Sequence, residues 1–353
     1  MDKIRIATIG SSLIAQRFLD ALDRYDGATY AGAYSRDPGR ARELSAAHGG
    51  SGSFSDLDVL AASPAVDAVY VASPNALHAG QAAKMVAAGK HVLVEKSFGS
   101  NRAEAASVFS AAREKGVVAL EAMRPVHAPG FKKIQETLPK LGEVRLVYLG
   151  FSKVTSRISR FRAGERLNIF DTRFSAGALM DIGVYCVEPA IALFGSPERV
   201  SSSVVTAPVV GEEPGSRYGT IDLAGTITLS YPGKSVVLSY GKLTDDLISC
   251  QIQGEEGTLL FDGVSTPGNL RLCVHEQKAM TWGTVGGAEQ AIPVDTPEND
   301  MVCELDDFCR AVRGEKDALA FRDACEKVTL DSLAVMDEVR SQAGVRFPAD
   351  DAR

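Results

Sequence analysis

The chain has 353 residues, more than one ordinary hydrophobic core organises, so two domains are expected. At 45% hydrophobic and 24% charged residues it reads as a globular chain rather than a disordered or fibrous one. Its 38 basic and 45 acidic residues leave a net charge of −7, which excludes a general attraction to nucleic acid or anionic membrane, and no leader or membrane-spanning run is visible, so the cytoplasm is the expected location.

Residues 4–9 are a short β-branched run that predicts a strand, followed by Gly10-Ser11-Ser12-Leu13-Ile14-Ala15 and an amphipathic helix through Leu22. Strand, tight turn and helix in this order match the dinucleotide fingerprint G-x-G-x-x-G/A in the form G-x-S-x-x-A. Gly10 can make the turn, and Ala15 is small enough for close helix–strand packing. Ser12 replaces the glycine that lets the backbone approach a pyrophosphate, and adds a hydroxyl able to meet phosphate itself. Residues 29–34 predict a second strand that ends at Ser35-Arg36, with Arg40 on the next turn. A site preferring NAD usually places an acid here for the ribose 2′-hydroxyl. A hydroxyl plus a guanidinium suits a 2′-phosphate, so NADP is expected over NAD.

Residues 54–60 predict a short helix and 66–72 a third strand. That strand ends at Ser73-Pro74-Asn75, where a helix carrying His78 begins and runs to Ala88, with Gly89 as its stop. Residues 91–94 predict a fourth strand that ends abruptly in Glu95-Lys96-Ser97. Such an apolar run reads as a buried parallel strand, and the carboxyl end of such strands is where open α/β sheets hold ligands. A helix over 103–115, a stop at Gly116 and a fifth strand over 117–120 complete the rhythm. The alternation predicts an α/β fold, a doubly wound parallel Rossmann sheet, over residues 1–122.

These residues carry a family resemblance. Gly10-x-x-x-Ile14-Ala15, Ser73-Pro74-Asn75-x-x-His78 and Gly89-Lys90-His91-Val92-x-x-Glu95-Lys96 resemble the Gfo/Idh/MocA family, named after glucose–fructose oxidoreductase and inositol dehydrogenase. Its strand-end motif is Glu-Lys-Pro, and here Ser97 stands at the proline's place. The resemblance implies that the residues at the strand ends, from Gly10 through Ser35 and Ser73 to Glu95 and Lys96, face the cofactor. It also places Asn75 near the nicotinamide ribose or the substrate.

From residue 123 to 353 the pattern changes to a helix over 131–138 and then longer strand-like runs over 143–151, 200–205, 223–230, 235–240, 249–253, 258–261 and 270–274, separated by Gly and Pro turns. This predicts a second, α+β domain with a large, mostly antiparallel open sheet, closed by two helices over 300–343. Met301, Leu305, Phe308 and Val312 fall on one helical face and read as core. A homodimer or homotetramer through this sheet is what the resemblance implies. The six cysteines form no CxxC pair and no histidine lies at zinc-finger spacing, so they are expected to be free thiols, mostly buried, with no metal site.

In the stretch 175–188, Asp181 and Tyr185 are four apart and share a helical face, with Gly183 opening space between them. Pro189 is expected to disturb the helix near Tyr185, since it cannot donate to that carbonyl. The stretch resembles the family's second signature at Gly177, Asp181, Gly183 and Tyr185. The implied activity is hydride transfer between nicotinamide and a carbinol or carbonyl carbon of a sugar, cyclic polyol or trans-diol. Tyr185 would be the general acid/base, Lys96 the ammonium that stabilises its anion, and Asp181 the acceptor for substrate hydroxyls. Arg124, with Arg157 and Arg173, is a candidate for lining the substrate pocket. The alternative is a non-catalytic dinucleotide-binding sensor on the same fold.

Overall fold

The first sheet is built from short, buried runs of Ile, Val and Ala. Its strands are β1 (Ile4–Ile9), β2 (Ala28–Tyr34), β3 (Gly52–Phe54), β4 (Ala68–Val71), β5 (His91–Glu95) and β6 (Ala119–Ala122). All are parallel, in the order β3-β2-β1-β4-β5-β6. The order reverses between β1 and β4, and a crevice opens beyond the strand ends at such a point. The structure, a computed structural model, describes residues 3–275 and 288–351.

Helices α1 (Leu13–Leu22), α2 (Pro38–Ala47), α3 (Leu57–Ala62), α4 (Asn75–Ala87) and α5 (Arg102–Lys115) connect these strands. Ala82, Met85 and Val86 of α4 and Phe109 of α5 pack with Val69, Val71, Val92 and Val94. Phe18 and Leu19 of α1 pack with Ile6, Ala68 and Leu93, and the Phe18 ring stacks on Tyr70 with centroids 3.8 Å apart. The sheet has six strands where the sequence predicts five. The run expected as one helix over 54–60 divides: Phe54 ends the edge strand β3, and Asp56 caps α3 by accepting from the Asp58 and Val59 N–H groups.

Two short helices, α6 (Arg124–His127) and α7 (Pro129–Thr137), lead to the second sheet. Its strands are β7 (Val144–Ser152), β8 (Arg199–Pro208), β9 (Thr220–Tyr231), β10 (Lys234–Gly241), β11 (Cys250–Gly254), β12 (Gly257–Asp262), β13 (Gly268–Val274) and β14 (Glu289–Ile292). They run in the order β14-β13-β12-β11-β7-β10-β9-β8, antiparallel except for the β7–β10 pair. The edge strand β14, mostly exposed, is not expected from the sequence. Between β7 and β8 the chain makes α8 (Ile158–Arg162), a π-helical turn at Leu179–Gly183 and α9 (Val184–Phe194). The apolar stretch Thr172–Phe194 is long enough to cross a membrane, but most of it is buried inside the protein.

The chain ends in α10 (Met301–Val312) and α11 (Lys316–Gln342). Met301, Leu305 and Phe308 are buried as expected, and they join Phe18, Leu19 and Tyr70 over the first sheet. Asn299 ties the two ends together by donating to the Arg17 carbonyl at 2.8 Å. The last helices thus complete the covering of the first sheet although they follow the second in the chain. All six cysteines are free, five of them buried and Cys303 half-buried.

Candidate active site

At the end of β1, Gly10 has φ +108°, and a Cβ on it would lie 2.5 Å from the Ala72 carbonyl oxygen. Only glycine lets the β1 turn pass this close to the end of β4. The turn leads directly into α1, at whose start Ser11 and Ser12 are exposed. Ser12 caps α1, accepting from the Ala15 N–H at 3.4 Å. Leu13, at the head of the helix, is 83% exposed, and Ile14 lines the cleft.

At the end of β2, Arg36 and Arg40 are exposed and the Ser35 hydroxyl accepts from the Asp37 N–H at 3.2 Å. Asp37 is the acid nearest this strand end. Its carboxylate caps α2, accepting from the Gly39 and Arg40 N–H groups at 2.8 and 3.3 Å. It is therefore already engaged by backbone donors.

The ends of β4 and β5 are laced together. Ser73 donates to Gln81 Oε1 at 2.7 Å, and Asn75 donates to the Ser175 carbonyl at 3.0 Å, reaching toward the second domain. His78 is buried, with Nδ1 2.9 Å from the Ser97 carbonyl and Nε2 2.6 Å from the Ser73 carbonyl. Burial lowers the pKa of this imidazole, and its single N–H ties the ring to one of these two strand-end carbonyls. Glu95 is buried too, its carboxyl raised above its ordinary range by burial, and it accepts from the Tyr70 hydroxyl at 2.5 Å.

Lys96 follows. The Lys96–Ser97 peptide bond is cis, and the Ser97 hydroxyl donates to the Met180 carbonyl at 3.0 Å, a bond that a proline here would lack. Lys96 Nζ donates to both Asp181 Oδ1 and the Asp181 carbonyl at 2.8 Å and lies 5.0 Å from the Tyr185 ring centroid. Burial works against its charge, but Asp181 and Tyr185 outweigh this and hold its pKa above the usual lysine value.

The π-helical turn presents Asp181. Its start is fixed by Asp222, buried in β9, which accepts from the Leu179 N–H at 2.6 Å. Gly177, at φ +115°, passes so close to Asp222 that a Cβ there would collide with Oδ1. Lys242, directly after β10, reaches the other oxygen of the same carboxylate, donating to Asp181 Oδ2 with its side chain only 8% exposed. Burial opposes the Asp181 charge, yet Lys96 and Lys242 hold the carboxyl well below its usual range. Pro189 sits inside α9, and the irregular turn lies on the N-terminal side of Tyr185.

Tyr185 is buried, packed edge-on against Phe151 with centroids 5.7 Å apart. The Arg124 guanidinium lies 5.9 Å from the Tyr185 ring centroid and ion-pairs with Asp300 at 2.8 Å, and Asp300 also holds Arg17 at 2.8 Å. Arg124 thus lies against Tyr185, whose hydroxyl and Asp300 both favour its charge, and it is not among the residues that line the cleft. Arg173 pairs with Asp171 at 2.8 Å, and Arg157 is exposed at the start of α8.

These residues enclose a cleft of about 370 Å³, running from Ser12 and Ile14 past Ser73, Pro74 and Asn75 to Lys96, Asp181 and Tyr185. A larger depression, about 760 Å³, lies between the start of α5 and the end of α11. Its buried Arg340 is paired with Asp337 and Asp350, and it holds none of the strand-end residues. Among the described residues there is no cluster of His, Cys, Asp or Glu suited to a metal ion.

Residues 4–123 match the model of the Gfo/Idh/MocA oxidoreductase family, NAD-binding Rossmann fold, and residues 139–260 match the model of that family's C-terminal domain. The chain belongs to the Gfo/Idh/MocA family. It is similar over its whole length to scyllo-inositol 2-dehydrogenase (NADP(+)) IolU of Bacillus subtilis, with 36% identity over 99% of this chain and 100% of the relative. Trans-1,2-dihydrobenzene-1,2-diol dehydrogenase of Oryctolagus cuniculus is 29% identical over 70% of this chain and 72% of its own. Among solved structures, the 3-ketoreductase KijD10 of Actinomadura kijaniata, in complex with NADP and TDP-benzene, has the same fold. Its TM-score is 0.76 at 24% identity, covering 98% of this chain and 99% of that one. This Gfo/Idh/MocA member is accordingly an oxidoreductase with an NAD-binding Rossmann domain.

The structure brings together the predicted Lys96, Asp181 and Tyr185 in one cleft with the Gly10 turn. The sequence reading passes over Lys242 and Asp37. A single lysine after a strand carries no spacing that marks it, whereas Asp37 ahead of Pro38 is legible as a helix cap.

Proposed function

We propose that this protein is an NADP(H)-dependent dehydrogenase or reductase. Its substrate would be a sugar, cyclic polyol or trans-diol, reacting at a carbinol or carbonyl carbon. The observation that carries this reading is the Lys96 ammonium, bonded to Asp181 at 2.8 Å and 5.0 Å from the Tyr185 ring, in a cleft that continues to the Gly10 turn. The nicotinamide, when bound, supplies the hydride chemistry.

The residues present fit that cofactor. The Gly10 turn leaves room that a Cβ would fill, and α1 offers its N-terminus and two exposed serines to a pyrophosphate. Ser35, Arg36 and Arg40 suit a 2′-phosphate, which supports NADP over NAD. The full-length similarity to a dehydrogenase named for NADP(+) supports the same choice.

At the reacting carbon the Tyr185 phenolate oxygen takes the proton from the substrate oxygen during oxidation, and the hydroxyl so formed returns it during reduction. Lys96 stabilises the tyrosinate between these events. Asp181 keeps Lys96 in place and offers its remaining lone pairs to a neighbouring substrate hydroxyl. A polyol or diol meets that demand, and the named relatives act on such compounds.

The test is a turnover screen with NADPH and NADH against inosose-type ketones, sugars, dicarbonyls and trans-diols. We expect NADPH to be preferred, and Tyr185→Phe to lower kcat about a hundredfold or more with NADPH affinity kept within a few-fold. Undiminished turnover by Tyr185→Phe overturns the assigned proton transfer, and equal use of NADH overturns the role of Ser35 and Arg36.

A homodimer or homotetramer through the second sheet belongs to the same proposal. Light scattering after size exclusion decides it, a monomer at micromolar concentration being the contrary result.

A further inference from the structure

We propose that Lys242 is a positioning residue of this site: by holding one oxygen of Asp181 it commits the other to Lys96 and leaves the group with a net positive charge facing the substrate oxygen. The inference rests on the proton-transfer reading above and adds to it a residue from the second sheet. Three observations carry it.

First, both carboxylate oxygens of Asp181 meet an ammonium, Oδ1 that of Lys96 at 2.8 Å and Oδ2 that of Lys242. One negative charge thus stands between two positive ones. A Lys–Asp pair alone is neutral, and the second lysine leaves one positive charge uncompensated. Second, Lys242 is held rigidly. Its N–H donates to the Leu223 carbonyl at 3.1 Å and its carbonyl accepts from the Thr155 N–H at 2.9 Å, so its side chain starts from a fixed point. Third, that side chain is 8% exposed, and burying an ammonium is costly unless a partner repays the lost hydration. Asp181 is the partner the structure gives it.

The other charged groups around the site do not act through Asp181, although Arg124, sharing Asp300 with Arg17, adds positive charge beside the Tyr185 ring. Arg124, on α6, is paired with Asp300, which also holds Arg17. Glu95, on β5, is joined to Tyr70, and His78, on α4, lies between two carbonyl oxygens. Glu304, on α10, is buried and faces Arg124 and Glu95 behind the tyrosine. Lys96 and Lys242 alone among the described cations bond Asp181.

The excess charge matters at one moment. In oxidation the substrate O–H bond breaks, its proton passes to the tyrosinate oxygen, and the carbinol hydride leaves for NADP⁺ as the C=O double bond forms. Negative charge builds on the substrate oxygen as the proton departs. A fixed positive charge beside Tyr185 and the substrate oxygen favours the anion that the two share over its fully protonated form. Reduction passes through the same charge distribution in reverse.

The test uses the full-length enzyme with NADPH or NADP⁺ and whichever substrate the screen identifies. Lys242→Met is expected to lower kcat roughly tenfold or more, with smaller effects on KM and on NADPH binding followed by nicotinamide fluorescence. The limb of kcat/KM against pH that reports the acid–base group should move to higher pH. Lys242→Arg, which keeps the charge, should restore most of the rate and the wild-type pH profile. In an Asp181→Asn background, Lys242→Met should cost much less than in the wild type, because Lys242 acts through Asp181. Thermal melts report folding of each variant, and Lys242→Gln serves if Lys242→Met does not fold. An unmoved pH profile with unchanged kcat in a folded charge-removed variant overturns the proposal, as does full additivity with Asp181→Asn. If Tyr185→Phe is fully active the underlying reading fails instead, so the two failures are distinguishable.

Discussion

Arg36 and Asp37 show how adjacent residues divide two tasks at one strand end. The acid is held by the amides of α2, while the guanidinium remains exposed beyond β2. Loss of one charge-assisted bond to a phosphate costs about 1.5–3 kcal/mol, or roughly ten- to a hundredfold in affinity. Arg36→Ala should therefore weaken NADPH binding by about that factor and leave NADH binding nearly unchanged, as fluorescence titration of both cofactors would show. Equal losses for the two cofactors would argue against a 2′-phosphate contact. At this scale the sequence was informative wherever function depends on local spacing. Lys96 ends an apolar strand, and Asp181 and Tyr185 are four residues apart. Lys242 was hidden because its meaning comes from the end of β10 lying against the π-helical turn that carries Asp181, a contact set by the whole domain.

Among the elements, the strongly periodic ones were legible and the weakly periodic ones were not. Helix α2 buries only Ala41 and Ser45, and β3 has three residues at a sheet edge, so neither writes a clear apolar pattern. The apolar face of α10 was legible, but its address was not. Met301, Leu305 and Phe308 are as suited to one sheet as to the other, and only the structure shows them beside Phe18 and Leu19 of α1. Phe308 is fully buried there. Phe308→Ala should destabilise the protein by about 3–5 kcal/mol in denaturant unfolding. The loss should also weaken cofactor binding, since α1 carries the Gly10 turn at its head. A loss below about 1 kcal/mol would mean that α10 is not part of that core.

For the molecule as a whole, buried acids set the response to pH. Burial pushes the Glu121 carboxyl up to about 7 and that of Asp222 up to about 6, and it raises Glu95, Glu188 and Glu304 as well. In the unfolded chain these groups lose their protons near pH 4. Between that pH and about 7 the folded state therefore holds more protons than the unfolded one, and stability falls as pH rises. Asp171, held down at about 2 against the effect of burial by Arg173 and Arg166, works the other way below pH 4, and the buried His78 and His91, whose pKa values burial lowers, offset part of the decline up to the ordinary histidine range. The thermal midpoint should accordingly peak near pH 5 and decline toward pH 8. Glu121→Gln should flatten that decline. A midpoint that climbs from pH 5 to 8 would contradict the protonated state of these acids.

The ion pair between Arg124 and Asp300 has a consequence of its own. Arg124 lies where the chain departs from the first sheet and Asp300 where it returns. The two covalent links between the halves are therefore clasped together at one place, beside the Tyr185 ring. Links gathered at one place act as a pivot, with displacement growing with distance from it. We expect any swing of one half against the other to have its long arm at the outer cleft, where Asn75 meets Ser175, and its short arm at the tyrosine. The mouth could then widen for a ligand to enter or leave while the proton-transferring hydroxyl stays almost still.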